Sequence, residues 1–201
     1  MLSIAEEFRC KRYAVLRGLV PISDCDALSR YALLLAETGL LKADDTITEA
    51  GGRYADPQME LLLADLLPVI EESTGLTLYP TYSYFRAYRQ GSELRRHRDR
   101  PSCEVSMSVC LDYEASETWG LWVEGPEGVY RADLEPGDAL LYRGCECLHW
   151  REPFSGECAV QVFLHYVERQ GPNSSYRFDR RDELNLPPYS IRGTRPKEVT
   201  H

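Results

Sequence analysis

Three features that mark common classes of protein are missing from this sequence of 201 residues. Positive charge is not in surplus, because 32 acidic residues outnumber 23 basic ones and the net charge is −9. A general nucleic-acid binder needs the opposite balance to neutralise phosphates, so we expect no nucleic-acid partner. No apolar run approaches the roughly 18 residues of a membrane span. Residues 1–13 also lack the apolar stretch of a signal peptide, so we expect neither a membrane segment nor a secretion signal.

The cysteines lack the spacing of a disulfide framework or of a zinc site. They number seven, and no CxxC pair occurs. The sequence CEC at 145–147 comes nearest to a metal motif, but no second pair of Cys or His residues stands at zinc spacing. Unpaired thiols are typical of a reducing compartment, and we therefore predict a cytoplasmic protein.

What the sequence does contain divides into three parts of one predicted domain. Residues 1–75 are predicted to form a helical support region, with helices at 23–39 and 56–75. Residues 76–168 hold seven short β-type segments separated by turns rich in Gly, Pro and Asp. Residues 169–201 are polar and rich in Arg, Asp and Pro, and they are predicted to be irregular.

The spacing of the β-type segments predicts the fold class. None of the spacers within 76–168 is long enough for a helix, so the strands are expected to pair antiparallel in a sandwich or a jelly roll. An apolar strand is predicted within 13–21, and residues 43–55 are predicted to be a loop. The expectation is an α+β protein with a mainly β core.

A histidine and a carboxylate stand close together in the stretch SELRRHRDRPSCEVSMSVCL. In an extended segment His97 and Asp99 project to the same side, because alternate side chains share a face. One imidazole and one carboxylate are two of the three ligands of the facial triad that holds non-haem Fe(II). His149 follows a PGD turn and a strand-like segment, and it is our candidate for the third ligand. Each residue alone also fits a structural role, His97 and Asp99 as a charged turn and His149 as a core histidine.

Taken together, these motifs resemble the Fe(II)/2-oxoglutarate-dependent dioxygenases, in particular the prolyl-4-hydroxylase-like branch. The matching pieces lie within 82–167 and read YFRAYRQGSELRRHRD, CLDY, LEPGDALLYRGCECLHW and GECAVQVFLHYV. The resemblance implies a double-stranded β-helix of the jelly-roll or cupin type, buttressed by N-terminal helices. It also implies Fe(II) held by His97, Asp99 and His149, with 2-oxoglutarate and O2 as co-substrates. The family's tyrosine nine residues before the first histidine corresponds to Tyr88.

The sequence departs from this family at one position. The family carries an Arg or Lys nine or ten residues after the distal histidine, which pairs with the distal carboxylate of 2-oxoglutarate. Here Cys158 and Ala159 stand there, and a thiol cannot form the forked contacts of a guanidinium. Either another side chain takes this role, or the co-substrate is not 2-oxoglutarate. The candidate side chains are Arg86, Arg143, Gln161 and His165, with Arg86 and Arg143 placed first.

The activity implied by the resemblance is hydroxylation of a small molecule or a peptide-type substrate, with release of succinate and CO2. Arg95 and Arg151 are candidate substrate contacts, because each lies two residues from a predicted metal ligand. Two other functions remain open. One is a cupin-like metal enzyme or an oxygenase that does not use 2-oxoglutarate. The other is an inactive binding module of the same fold.

Overall fold

Two antiparallel sheets form the centre of the fold in this computed structural model, which describes residues 2–44 and 47–188. The helices are α1 (Ile4–Lys11), α2 (Ile22–Glu37) and α3 (Pro57–Thr74). The strands are β1 (Tyr13–Leu16), β2 (Lys42–Asp44), β3 (Ile47–Tyr54), β4 (Leu78–Arg89), β5 (Leu94–His97), β6 (Val105–Glu114), β7 (Leu121–Gly125), β8 (Gly128–Ala132), β9 (Ala139–Tyr142), β10 (Leu148–Arg151) and β11 (Cys158–Glu168). Short 3-10 segments cover Pro101–Cys103 and Ser174–Arg180. In the described part of the chain, none of the helices is long and apolar enough to cross a bilayer.

The larger sheet has seven strands in the order β1-β9-β6-β11-β4-β3-β2, and the smaller has four in the order β5-β10-β7-β8. Strands that are adjacent in space come from distant parts of the sequence. For example, β11 lies between β4 and β6, and β10 lies between β5 and β7. The two sheets face each other across a layer of apolar and aromatic side chains. This is the predicted α+β architecture with a mainly β core.

The helices cover the outer face of the larger sheet. α3 packs against β4, α2 against β6, and α1 against β1 and α3, burying a second apolar cluster. α3 begins and ends as its sequence predicts: the Asp56 side chain accepts a hydrogen bond from the Gln58 amide at 3.0 Å, and Gly75 ends the helix at φ 71°. The helices therefore support the sheet from outside and leave its inner face to the site.

One predicted element is wrong. Residues 43–55 were expected to be a loop, yet β2 and β3 form a hairpin-like edge, and β3 pairs with β4. Gly52 has a packing role in this edge, because a Cβ at this position would collide with the Tyr84 ring of the neighbouring strand. Tertiary pairing thus overrides the weak strand propensity of this segment.

β5 was missed for a similar reason, since its charged sequence LRRH does not read as a strand. The predicted irregular tail at 169–201 lies outside the described residues from 189 onward.

Candidate metal centre

The three predicted ligands come together where the smaller sheet faces the larger one. His97 ends β5, and in the antiparallel ladder its Cα partner is His149 on β10. Their ring centroids are 4.2 Å apart. Asp99 follows β5, and its Oδ1 lies 3.7 Å from His97 Nε2 and 3.5 Å from His149 Nε2. All three donor atoms lie within 4.8 Å of one another, so one ion can reach them together.

Backbone carbonyls orient both imidazoles. His97 Nδ1 lies 2.8 Å from the Arg95 carbonyl oxygen, and His149 Nδ1 lies 3.1 Å from the Cys147 carbonyl oxygen. Because a carbonyl only accepts, each Nδ1 carries a proton, and each Nε2 is therefore the ring atom that can bind a metal beside Asp99. The contacts span only two residues in the chain, so the local strand geometry itself sets the tautomer.

A chain of polar side chains holds the carboxylate. Ser106 Oγ donates to Asp99 Oδ2 at 2.8 Å, and Ser106 Oγ lies 2.9 Å from His165 Nδ1. The hydroxyl has one proton, which goes to the carboxylate, so His165 Nδ1 donates to the hydroxyl oxygen. Asp99 Oδ1 remains directed at the two imidazoles. Outer contacts of this kind fix the position of metal-binding carboxylates in proteins.

Gly144 lets Asp99 reach this position. Its carbonyl accepts a hydrogen bond from the Asp99 amide at 2.9 Å. A Cβ on Gly144 would overlap Asp99 Oδ2 and the Cys103 carbonyl oxygen. The close approach of two backbones therefore requires glycine here. Sequence reasoning did not single out Gly144, Ser106 or His165 as supports of the triad, although Gly in the motif RGCEC was the available signal.

The protonation states also suit a metal. Burial acts to raise the pKa of Asp99, but interactions with His149, His165 and Ser106 lower it to about 2. Burial and the neighbouring His149 lower the pKa of His97. At neutral pH the site therefore offers an ionised carboxylate beside a neutral imidazole, the forms that coordinate metal ions. Two imidazoles and one carboxylate on one face are the donor set of non-haem Fe(II) sites.

The triad opens into a cavity of about 500 Å³. Aromatic and cationic side chains contribute much of its lining, namely Tyr54, Tyr82, Tyr84, Lys42, Arg86 and Arg100. Asp179, from the segment after β11, contacts this rim: its carboxylate accepts two hydrogen bonds from Arg100 at 2.9 and 2.8 Å and one from the Tyr54 hydroxyl at 2.6 Å. The volume is in the range of small-molecule sites.

The predicted basic residues lie in different surroundings. Arg86 lines the cavity, with its guanidinium carbon 4.9 Å from the Tyr84 ring centroid and 5.4 Å from that of Phe163. Arg143 lies 3.7 Å from Glu104 and over the Phe8 ring, on the side of the helices. Arg95 is exposed and reaches the triad only through its backbone carbonyl.

Arg151 is fully buried between the two sheets. Its guanidinium donates to the Trp119 carbonyl, to Gln161 Oε1 at 3.1 Å and to Ser108 Oγ at 3.5 Å. Burial lowers the pKa of Arg151, against the influence of nearby Tyr88. Tyr88 is also fully buried, and its hydroxyl has no hydrogen-bond partner among the described residues. A buried guanidinium beside an unpaired hydroxyl is an unusual feature, since an uncompensated charge typically costs several kcal/mol.

Comparison with known proteins identifies solved structures that have a similar fold. No family model matches the sequence, and no curated protein matches it. Among solved structures, the chain is similar to a prolyl-4-hydroxylase from Pseudomonas putida, with 18% identity and a TM-score of 0.68 over 84% of this chain and 98% of that one. It is also similar to a prolyl hydroxylase from Trichoplax adhaerens in complex with a hypoxia inducible factor peptide fragment (12% identity, TM-score 0.69, 83% and 88% covered).

A third similar structure is HygX from Streptomyces hygroscopicus, crystallised with nickel, 2-oxoglutarate and hygromycin B. The identity is 14% and the TM-score 0.64, over 81% of this chain and 85% of that one. Alignments of this extent at so low an identity establish the fold. The chain therefore has the double-stranded β-helix fold of the prolyl hydroxylases and related 2-oxoglutarate/Fe(II) oxygenases, as its motifs predicted.

Proposed function

We propose that this protein is a non-haem Fe(II)- and 2-oxoglutarate-dependent oxygenase that hydroxylates a small molecule or a peptide residue and releases succinate and CO2. The observation that carries the proposal is the convergence of His97 Nε2, His149 Nε2 and Asp99 Oδ1 within 4.8 Å at the wall of the cavity. The fold similarity supports the same function, because a similar protein, HygX, was crystallised with nickel and 2-oxoglutarate.

Fe(II) bound by this triad would supply the redox chemistry that couples 2-oxoglutarate decarboxylation by O2 to substrate oxidation. The chain's own residues prepare the site for it. His97 and His149 each direct an Nε2 lone pair at one point, and Ser106 holds the carboxylate of Asp99 in place. A metal ion held by these three residues would be reached from the cavity that they line.

The cavity favours a small substrate or a single inserted side chain. Its volume of about 500 Å³ fits a co-substrate together with part of a substrate. Tyrosine rings and the cations of Lys42, Arg86 and Arg100 line it, which suits a polar or anionic ligand. We further place the protein in a reducing cytoplasm, which is supported by seven free cysteines.

The direct test is succinate formation. Protein loaded with Fe(II) and incubated with 2-oxoglutarate and O2 is expected to convert 2-oxoglutarate slowly to succinate even without substrate. His149→Ala is expected to abolish this conversion. Succinate formation that is unchanged in the variant would contradict the assignment.

A second candidate function is an oxygenase or isomerase that binds metal at the same triad but does not use 2-oxoglutarate. The observation in its favour is Cys158, which begins β11 and stands where the family that the sequence resembles is expected to have a basic residue. It predicts metal binding without any succinate.

A further inference from the structure

The buried guanidinium of Arg151 has no anionic partner among residues 2–44 and 47–188. Its contacts are a backbone carbonyl, an amide oxygen and a hydroxyl, all of them neutral. Arg151 is 1% exposed, so water does not screen its charge. A buried charge is ordinarily paired, because removing it from water without compensation is costly. The protein therefore maintains a cationic position in its core that a bound anion would stabilise.

Two buried polar atoms in this region also lack a hydrogen-bond partner in the described structure. They are Nε of Arg151 itself and the hydroxyl of Tyr88, which is 0% exposed. Both belong to the layer between the sheets, where Tyr88 packs edge-on against Trp119, with ring centroids 4.8 Å apart. The Arg151 guanidinium lies over that same indole at 4.8 Å. Two unpaired donors of this kind suit a ligand that brings acceptor oxygens.

This cluster adjoins the metal cavity. Arg151 follows His149 by two residues on β10, which places the two side chains on one face roughly 6–7 Å apart along the strand. Tyr142 interacts with both side chains: its ring centroid is 4.7 Å from that of His149, and its phenol interacts electrostatically with the guanidinium of Arg151. Tyr142 and Leu121 line the cavity and pack in the same apolar cluster as Tyr88.

We propose that Arg151, together with the Tyr88 hydroxyl, binds the distal carboxylate of 2-oxoglutarate and replaces the basic residue that is absent at Cys158. This inference rests on the proposed function and specifies how its co-substrate is held. A 2-oxo acid whose keto end lies at the triad extends along β10 by about the spacing of two residues. The guanidinium then gains its missing counter-charge, and Gln161 on β11 holds it in orientation.

Arg86 is the competing anchor, and its geometry is less suitable. It is partly exposed and lines the wider part of the cavity, where its guanidinium stacks on the rings of Tyr84 and Phe163. Solvent already screens much of its charge, so an ion pair between Arg86 and a carboxylate contributes less binding free energy than a pair with the buried Arg151. Arg86 thus serves as the matched control for Arg151.

The test compares two ligands that differ only at the distal group. 2-Oxopentanoate carries a methyl group where 2-oxoglutarate has its second carboxylate. Both are titrated calorimetrically, without O2, into wild-type protein and variants loaded with Mn(II). Wild type is expected to prefer 2-oxoglutarate by about 10- to 100-fold, the range for a charge-assisted contact. Arg151→Gln is expected to reduce that preference to less than about threefold and to leave the affinity for 2-oxopentanoate unchanged.

Arg86→Gln is expected to retain most of the wild-type preference. A preference that persists in Arg151→Gln but disappears in Arg86→Gln would overturn the assignment to Arg151. An equal loss of affinity for both acids in Arg151→Gln would also overturn it, because it would show a structural role. If wild type binds both acids equally, the anchor is refuted while 2-oxo acid binding at the metal stands. If wild type binds neither acid, the proposed function fails with it.

Tyr88→Phe keeps the inference testable should Arg151→Gln fail to fold. This variant removes one oxygen that has no partner within the described residues, so its fold should be unaffected. We expect the preference for 2-oxoglutarate to fall by about 3- to 10-fold, the effect of one hydrogen bond of ordinary strength. An unchanged preference in this variant would contradict a shared Arg151 and Tyr88 anchor.

Discussion

The two ends of the site are built in opposite ways. At the metal end, formed by His97, Asp99 and His149, most polar contacts are satisfied by nearby backbone carbonyls and by Ser106. At the arginine end, formed by Arg151 and Tyr88, polar atoms remain unpaired in the described structure although both side chains are fully buried. The imidazoles of the metal end are oriented by local structure, whereas the proposed anchor at the arginine end lacks an acceptor until a ligand binds.

The two ends differ in how far apart in the sequence their contacting residues lie. The imidazoles of the metal end are oriented by contacts within two residues, so a short motif carries the information. The arginine end needs β4, β10 and β11 to meet between two sheets, and no local pattern specifies that meeting. The two ends should therefore respond differently to substitution, pH and ligand.

The largest expected effect is the loss of metal from His149→Ala. Removing one of three ligands should lower the affinity for Mn(II) by more than about 100-fold, since even outer contacts are worth about 10- to 100-fold. Mn(II) binding followed by electron paramagnetic resonance measures this. Arg151→Gln, at the other end, is the matched control and should bind Mn(II) as wild type does. Equal losses in both variants would contradict the separation of the two ends.

Ser106→Ala should have the next largest effect. The variant removes the hydroxyl that holds Asp99 Oδ2 and leaves all three ligands in place. We expect Mn(II) affinity to fall by about 10- to 100-fold. Ser108→Ala is a suitable comparison, because Ser108 lies on the same strand and contacts Arg151 instead. A normal Mn(II) affinity in Ser106→Ala would show that the hydroxyl does not position the carboxylate.

The histidine behind the metal end should make stability depend on pH. Burial lowers the pKa of His165 to about 4, although the nearby Asp99 acts to raise it. Between about pH 6.5 and 4 this histidine is therefore neutral in the folded protein but protonated in the unfolded chain. Unfolding free energy should therefore fall as the pH decreases from about 6.5 to 4, by up to about 3 kcal/mol.

Denaturant unfolding of wild type and His165→Asn across this pH range measures the contribution. Asparagine retains a donor for Ser106 but does not titrate. The variant should show a flatter pH profile, and a profile parallel to that of wild type would exclude His165 as the source.

The smallest effect is expected for the stability of Tyr88→Phe without ligand. Because the hydroxyl lacks a partner in the described structure, its removal should leave the unfolding free energy within about 0.5 kcal/mol of wild type or raise it slightly. Thermal unfolding without ligand measures this. Tyr166→Phe is the contrasting control, since the Tyr166 hydroxyl donates to the Leu63 carbonyl at 3.0 Å and its loss should destabilise the fold by about 1 kcal/mol. A clear destabilisation by Tyr88→Phe would mean that its hydroxyl already has a partner.

The sequence predicted the β core and the three clustered side chains because their signals are local. The PGD turn, the alternation around HRD and the helix cap at Asp56 each lie within a few residues. The hairpin edge formed by β2 and β3 was not predicted, because the packing of Gly52 against the ring of Tyr84 is a tertiary contact that no local pattern shows. β5, which carries His97, was not predicted either, because its charged sequence LRRH lacks the apolar alternation of a strand.

The supporting residues were harder to identify for a physical reason. Gly144 and Ser106 approach Asp99 only after β6, β9 and the loop beyond β9 have packed. Arg151 was considered as a substrate contact, because spacing shows that it shares a face with His149 but not that it is buried. Burial without a counter-charge is a tertiary property, and it favours the proposed role of Arg151 as an anchor for the co-substrate.

The metal end is proposed to bind Fe(II) and a 2-oxo acid together. Anaerobic titration of the Fe(II)-loaded protein with 2-oxoglutarate tests it most directly, because a 2-oxo acid chelated to Fe(II) gives a visible charge-transfer absorption. We predict that the band grows to saturation in wild type and is absent in His149→Ala. A wild-type protein that holds Fe(II) but shows no such band at saturating 2-oxoglutarate would contradict the account.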